Sequence, residues 1–262
     1  MIRSVRRIFA DFLGLARVCG WGVASHWLWQ VVRTFKECRR DNNLQPADIA
    51  MGEGPFVASY KGKTARLSGQ SVISGIREIW VREVYLARGF LKIGPNATVV
   101  DLGANMGNFT MLALAMGENA RVIAVEPSQV MRRKLSRQLE MNAWTTRVYV
   151  VPHFVGGRTQ GPEPLINEDT VDCRFISEDE FIESQHLKQI DLLKSDIDGS
   201  EFELLRPNSR LLAISQQVAI ELHGWGGNIA EFTQRLRDCG FEIRPCSMNS
   251  EGCILSARRN GV

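Results

Sequence analysis

The 262-residue chain reads as an α/β protein: an open, mostly parallel seven-stranded sheet with helices on both faces, preceded by a helical arm. Three observations predict this. From Ala97 onward short apolar runs alternate with stretches of helical periodicity. The helical stretches end at glycines, as at Gly117 and Gly240. The composition, 44% apolar and 23% charged, is that of an ordinary globular chain and excludes wholesale disorder.

Residues 1–45 read as a basic amphipathic arm. Within residues 1–40, eight Lys/Arg stand against Asp11 and Glu37, a local net of +6 in a chain whose whole net is +3. Ile2, Val5, Phe9, Phe12, Leu13 and Ala16 recur at helical spacing among Arg3, Arg6, Arg7 and Arg17, and Trp21, Trp27 and Trp29 follow. Such a stripe docks on the chain's own domain, docks on a second subunit to give a homo-oligomer, or lies on an anionic membrane surface. Asp11 and Arg17 interrupt the apolar run short of the ~20 residues of a membrane span, and they also weaken a signal-peptide reading. Six cysteines are scattered without a C-x-x-C pair, which disfavours a zinc ribbon or disulfide scaffold and fits reduced thiols. The expected location is cytoplasmic, either free or peripheral at the inner face of a membrane. The small net charge gives no footprint for nucleic acid.

Residues 46–95 read as an N-terminal hairpin and lead-in helix. Residues 41–55 are polar and turn-rich, as in a linker. Phe56–Tyr60 and Thr64–Leu67 flank Gly62 as a hairpin, and Ile76, Ile79, Trp80, Val84, Leu86 and Ala87 suggest a helix over 75–90.

Residues 96–262 form the main domain. Strands are expected at Thr98–Asp101, Arg121–Val125, Val148–Val151, Ile190–Ser195 and Gln217–Glu221, with two closing strands near 241–247 and 252–257. Helices are expected at Asn108–Met116, at 129–142 with Ser128 as N-cap, and at 229–239. Arg132, Arg133, Lys134 and Arg137 read as the solvated face of the second of these, and the acids between Asp172 and Glu183 as another solvated face.

The densest chemistry follows the first strand of this domain. Asp101 ends the strand, and Gly103-Ala104-Asn105-Met106-Gly107 turns into a helix, with the two glycines allowing close backbone approach to a ligand. Asn105 stands where a dinucleotide fold needs its second glycine, so a cofactor without a pyrophosphate fits better. S-adenosylmethionine (SAM) is such a cofactor. Twenty-five residues after Asp101, Glu126-Pro127 closes the second strand, where a carboxylate can accept both ribose hydroxyl protons.

Val100–Thr110, Val125-Glu126-Pro127 and Ile190–Glu201 together resemble the FkbM-type SAM-dependent methyltransferases, over about residues 75–225. The resemblance implies a Rossmann-like class I methyltransferase fold and O-methylation of a hydroxyl on a saccharide, glycolipid or glycosylated small molecule. It places Asp101, Gly103, Ala104, Asn105 and Gly107 in the SAM loop and makes Glu126 the ribose acid. Asp196-Ile-Asp198-Gly-Ser-Glu201 matches the family's D-[VI]-E-G-x-E pattern, with Asp198 in place of the usual Glu. His153 or Phe154, at the third strand's end, is expected at the adenine, though the family commonly has a small residue where Phe154 stands. Ile79–Tyr85 is similar to the family's lead-in helix.

The acceptor site is expected at the next two strand ends, where Asp196, Asp198, Glu221 and His223 gather with Lys194 nearby. Period-two alternation places Glu221 and His223 on one side of their strand. His223 could act as general base, since an imidazole titrates near neutrality. The carboxylates could instead hold Mg2+, or the site could supply proximity alone. The bland reading has Asp196 and Glu201 capping the next helix while His223 bonds a loop. Trp225, in a Gly-rich loop, either covers an acceptor sugar or fills a corner. Two rival functions are a non-catalytic membrane-associated scaffold on the same fold and a nucleotide-dependent oxidoreductase.

Overall fold

The computed structural model describes residues 2–156, 169–170, 172–197, 200–206, 208–248 and 252–260. In chain order, α1 (Ile2–Cys19), α2 (Trp21–Arg33), α3 (Phe35–Arg40) and α4 (Gln45–Ala50) precede the hairpin β1 (Phe56–Tyr60) and β2 (Lys63–Leu67). Then come α5 (Val72–Gly75), β3 (Thr98–Leu102), α6 (Asn108–Met116), β4 (Arg121–Val125), α7 (Gln129–Met141) and β5 (Val148–Val151). The short strands β6 (Phe154–Val155) and β7 (Phe175–Ile176) are followed by α8 (Glu178–Ser184), β8 (Leu192–Ser195), α9 (Glu201–Leu204) and α10 (Arg210–Ile214). The chain closes with β9 (Gln217–His223), α11 (Ile229–Asp238), β10 (Phe241–Met248) and β11 (Gly252–Arg259).

Seven strands make one sheet in the order β10-β11-β9-β8-β3-β4-β5. β9, β8, β3, β4 and β5 run parallel, and β11 is antiparallel to both of its neighbours. Because side chains alternate across a strand, successive residues feed two cores. Val99, Val122, Ala124 and Leu192 join α6 and Leu135 of α7 on one face. Val100, Leu102, Ile123, Val125 and Leu193 join Phe181 of α8 and Phe232 of α11 on the other. Burial on both faces explains why β3 and β4 read as near-continuous apolar runs. Each fully buried Leu, Ile or Val contributes about 1.5–3 kcal/mol.

Three expectations need correction. Residues 41–55 are not a free linker: they contain α4, and Asp48 is buried, accepting from Trp27 Nε1 at 2.8 Å and paired with Arg77. Residues 75–90 are not one helix. A π-helical turn spans Ile76–Val81, and Glu83, Ala87 and Arg88 adopt positive φ, which ends the helical path and brings Tyr85 to the carboxyl ends of β8 and β9.

The arm docks by only part of its apolar stripe, through Phe12 and Ala16. Asp11, Gly14, Leu15 and Val18 face the core, whereas Val5, Phe9 and Leu13 are exposed. Asp11 accepts from Arg77 Nη2 at 3.0 Å and from Arg82 Nε at 2.9 Å, and a buried carboxylate between two guanidiniums fixes the helix's rotation. A Cβ on Gly14 would lie 2.0 Å from Val81 Cγ1, so the glycine permits the close approach. Asp11 therefore anchors the arm together with buried Leu15, Val18, Trp27 and Val31.

Candidate active site

The parallel strands end on one side of the sheet, and the loops there build a crevice. It is lined by Gly103, Glu126, Pro127, His153, Phe154 and Asp196, together with Phe175 and Ile197, and encloses about 640 Å³, partly open to solvent.

The glycine turn is fixed from behind. The Gly103 and Ala104 N–H groups both donate to the Val125 carbonyl at 3.0 Å, tying the loop to the end of β4. Gly103 has φ 73°, and a Cβ there would fall 1.8 Å from the Asp196 carbonyl oxygen. Gly107, at φ 93°, packs under Leu135 in the same way. Asp101 is fully buried beneath this turn. Its Oδ2 accepts from Thr110 Oγ1 at 2.6 Å, and Oδ1 is paired with Lys194 Nζ at 3.1 Å. Lys194 also donates to the Leu102 and Gly103 carbonyls at 3.2 and 2.7 Å. Burial pushes its pKa down, but Asp101 and Asp196 outweigh that, and the net shift is upward. Asp101 lies beneath the turn, and Ala104 and Gly107 are buried within it.

Glu126 is 7% exposed, and that surface lines the crevice. Asn105 N–H donates to its Oε2 at 2.7 Å and Ser128 N–H to its Oε1 at 2.8 Å. Each oxygen keeps a second lone pair. Burial raises the carboxyl's pKa, while the two backbone donors pull it back. Arg132, expected on a solvated face, holds the Glu126 carbonyl at 3.0 Å and also the Pro127 carbonyl. Phe154 stacks on Phe175 with centroids 4.8 Å apart and planes inclined 17°. Among the described residues, buried Nδ1 of His153 has no hydrogen-bond partner.

Beside this crevice lies a second cluster. Tyr85 O–H stands 3.0 Å from Asp196 Oδ2 and 2.9 Å from Glu221 Oε2, bridging two strand ends. Burial, reinforced by those carboxylates, lifts the Tyr85 pKa well above its ordinary value, so the phenol stays protonated. Burial and then Asp196 raise the Glu221 carboxyl. His223 Nδ1 lies 3.3 Å from Oε1 of fully buried Glu201, whose same oxygen accepts from Ile197 N–H at 2.9 Å. The bland reading is thus met in part: Glu201 caps the loop before its helix, yet it also orients His223. Asp198 lies outside the described residues. Trp225 is 58% exposed, fills no corner, and sits 6.0 Å from the His223 ring.

Asp196, Glu221 and His223 each offer a ligand atom within 4.8 Å of the others. The set fits Mg2+ poorly. Tyr85 already engages one oxygen of each carboxylate, and an imidazole is foreign to magnesium's oxygen shells. Sequence reasoning missed Tyr85, Arg132 and the Glu201–His223 pair as site residues. Only the Ile79–Tyr85 segment hinted at the first, because its broken backbone is invisible to periodicity.

A seven-stranded sheet with one antiparallel strand, a glycine turn after β3 and an acid closing β4 define a Rossmann-like methyltransferase. The Methyltransferase FkbM domain family model matches residues 101–243, and the chain belongs to that family. The chain is 28% identical over 222 residues to the AMB antimetabolite synthetase AmbE of Pseudomonas aeruginosa, covering 64% of this chain but 10% of AmbE, so it spans about a tenth of that relative's length. It is 23% identical to the hexuronic acid methyltransferase AglP of Haloferax volcanii, over 79% of this chain and 90% of AglP. A solved FkbM methyltransferase from Methylobacillus flagellatus aligns at 17% identity and TM-score 0.47, over 71% of this chain and 54% of that one.

Proposed function

We propose that the chain is a SAM-dependent O-methyltransferase acting on a hydroxyl of a saccharide, glycolipid or glycosylated small molecule. The observation that carries this is Glu126, held by two backbone N–H groups on the crevice wall with a free lone pair on each oxygen. That is the donor-accepting geometry a ribose diol needs. The crevice fits the cofactor in two further respects. Stacked Phe154 and Phe175 offer an aromatic wall, and His153 Nδ1 offers an unused polar atom, as an adenine would require. The likeness to AglP along most of both chains supports a sugar-like acceptor.

In this division residues 96–262 bind the cofactor, residues 46–95 bring Tyr85 to the mouth, and residues 1–45 brace that segment through Asp11. Bound SAM supplies an electrophilic methyl on a sulfonium, whose C–S electron pair returns to sulfur on transfer. The chain's own residues manage the acceptor. An ionised Glu201 can only accept, so it holds the proton on Nδ1 of His223 and leaves the Nε2 lone pair for the acceptor hydroxyl. As the O–H bond breaks toward Nε2, the oxygen forms its bond to the methyl carbon. Tyr85 fixes Asp196 and Glu221 beside that path, where their charge favours a cationic methyl donor.

The test transfers labelled methyl from SAM onto a fractionated extract of the native cell, with mass spectrometry of the labelled product. Label on a glycan-bearing oxygen, lost with His223→Ala, is expected. Label on nucleic acid or protein, or none with any fraction, would overturn the proposal.

A further inference from the structure

The docked arm leaves an apolar surface uncovered. Val5, Phe9 and Leu13 of α1 point away from the core, as do Trp21, Trp29 and Val32 of α2. On each helix the exposed apolar residues lie roughly opposite the buried ones, by the 100° step per residue that a helix imposes. Half-buried Phe12, beside the α1 stripe, touches Trp21 edge-on with centroids 5.8 Å apart, so the two helices meet next to these exposed residues. Trp21 is 65% exposed and Phe9 60%, large values for side chains of this size in a folded protein.

The charge around this surface is predominantly positive. Arg6 and Arg17 flank the α1 stripe, and Arg33 lies over the Trp29 ring at 5.1 Å. Of the two acids in residues 1–40, Asp11 is buried and neutralised by Arg77 and Arg82, which leaves Glu37 as the one exposed carboxylate. No helix among the described residues is long and apolar enough to cross a membrane.

We infer that this face is a peripheral docking surface for an anionic lipid bilayer. Charge complementarity selects the occupant. A second copy of the chain would set one +6 arm against another, whereas an anionic headgroup layer meets the arginines while Trp and Phe enter the interface. Tryptophan suits that depth because its ring is apolar and its N–H is polar. The inference stands apart from the methyl-transfer proposal, since it needs neither cofactor nor acceptor.

The test is co-sedimentation of the full chain, without SAM, with phosphatidylcholine vesicles and with vesicles that also contain phosphatidylglycerol. The expected result is binding to the anionic vesicles only, weakened by salt. Trp21→Ser/Trp29→Ser should reduce the bound fraction about tenfold or more. Arg6→Gln and Arg17→Gln should each weaken partitioning about fivefold, as the loss of one cationic contact implies. Thermal melting of each variant checks folding, and the salt and lipid comparisons on the unaltered chain stand without any variant. Equal binding to both vesicle types, or none to either, would overturn the inference. So would a dimer in solution that the tryptophan variant dissolves.

Discussion

Lys194 Nζ stands 3.1 Å from Asp101 Oδ1 beneath the glycine turn, and both side chains are withdrawn from solvent. The pair props the loop from behind, so Asp101 positions the site without lining it. Removing one partner strands a buried charge, which costs about 3–5 kcal/mol. Asp101→Ala should therefore melt far below the unaltered chain. The double variant Asp101→Ala/Lys194→Met should recover much of the loss, because no charge is then left unpaired. Calorimetric melting of the four proteins checks this; additive losses would contradict it.

Gly103→Ala tests the loop's backbone. Its Cβ would meet the Asp196 carbonyl at 1.8 Å from a positive-φ position. The substitution should destabilise by more than ~1 kcal/mol and also weaken SAM binding, read by melting and by titration.

The fold was largely legible because its signals are local and repeated. Strand and helix positions from β3 to β5 follow apolar runs, a Ser128 cap and stops at glycines. What escaped depends on tertiary pairing. Asp11 reads as a flaw in an amphipathic stripe until Arg77 and Arg82, which lie 66 and 71 residues away, are brought to it. Its pairing turns the helix so that Val5, Phe9 and Leu13 of the stripe face outward while Phe12 and Ala16 pack inward. Tyr85 was hidden likewise, since positive φ at Glu83 and Ala87 breaks a segment whose periodicity spells helix. The glycine turn after β3 was legible as a motif, whereas the Lys194 pairing that props it was not.

The arm's anchor should be measurable. Arg77 pairs with both Asp11 and Asp48 and is 5% exposed. Arg77→Met leaves both carboxylates buried with less compensation and should cost about 3–5 kcal/mol. Chemical denaturation of the full chain reads the loss; an unchanged midpoint would contradict the buried network.

Glu201 gives a pH prediction. Burial raises its carboxyl in the folded state, with Ile197 N–H and His223 opposing. The folded chain then holds a proton that the unfolded chain releases at lower pH. This contribution to stability is complete below the unfolded value of ~4.3 and is lost as pH rises through the folded value. Glu201→Gln removes that dependence. The melting temperature of the variant relative to the unaltered chain should therefore climb as pH rises from the acid side of that window. A constant difference would contradict the raised carboxyl.

His223→Ala should abolish most methyl transfer while leaving SAM affinity within about twofold, as expected of a general base worth ~10²–10⁴ in rate. Single-turnover transfer and cofactor titration separate the two effects. A parallel loss of SAM binding would place His223 in the cofactor site instead.

The most direct measurement is calorimetric titration of SAM into the unaltered chain and into Glu126→Ala side by side. Saturable one-site binding should appear in the first. In the second it should be weaker by about 10–100-fold, the loss of hydrogen bonds to a charged group. Equal affinity in the two proteins, or no binding to the unaltered chain, would contradict the assignment of this crevice.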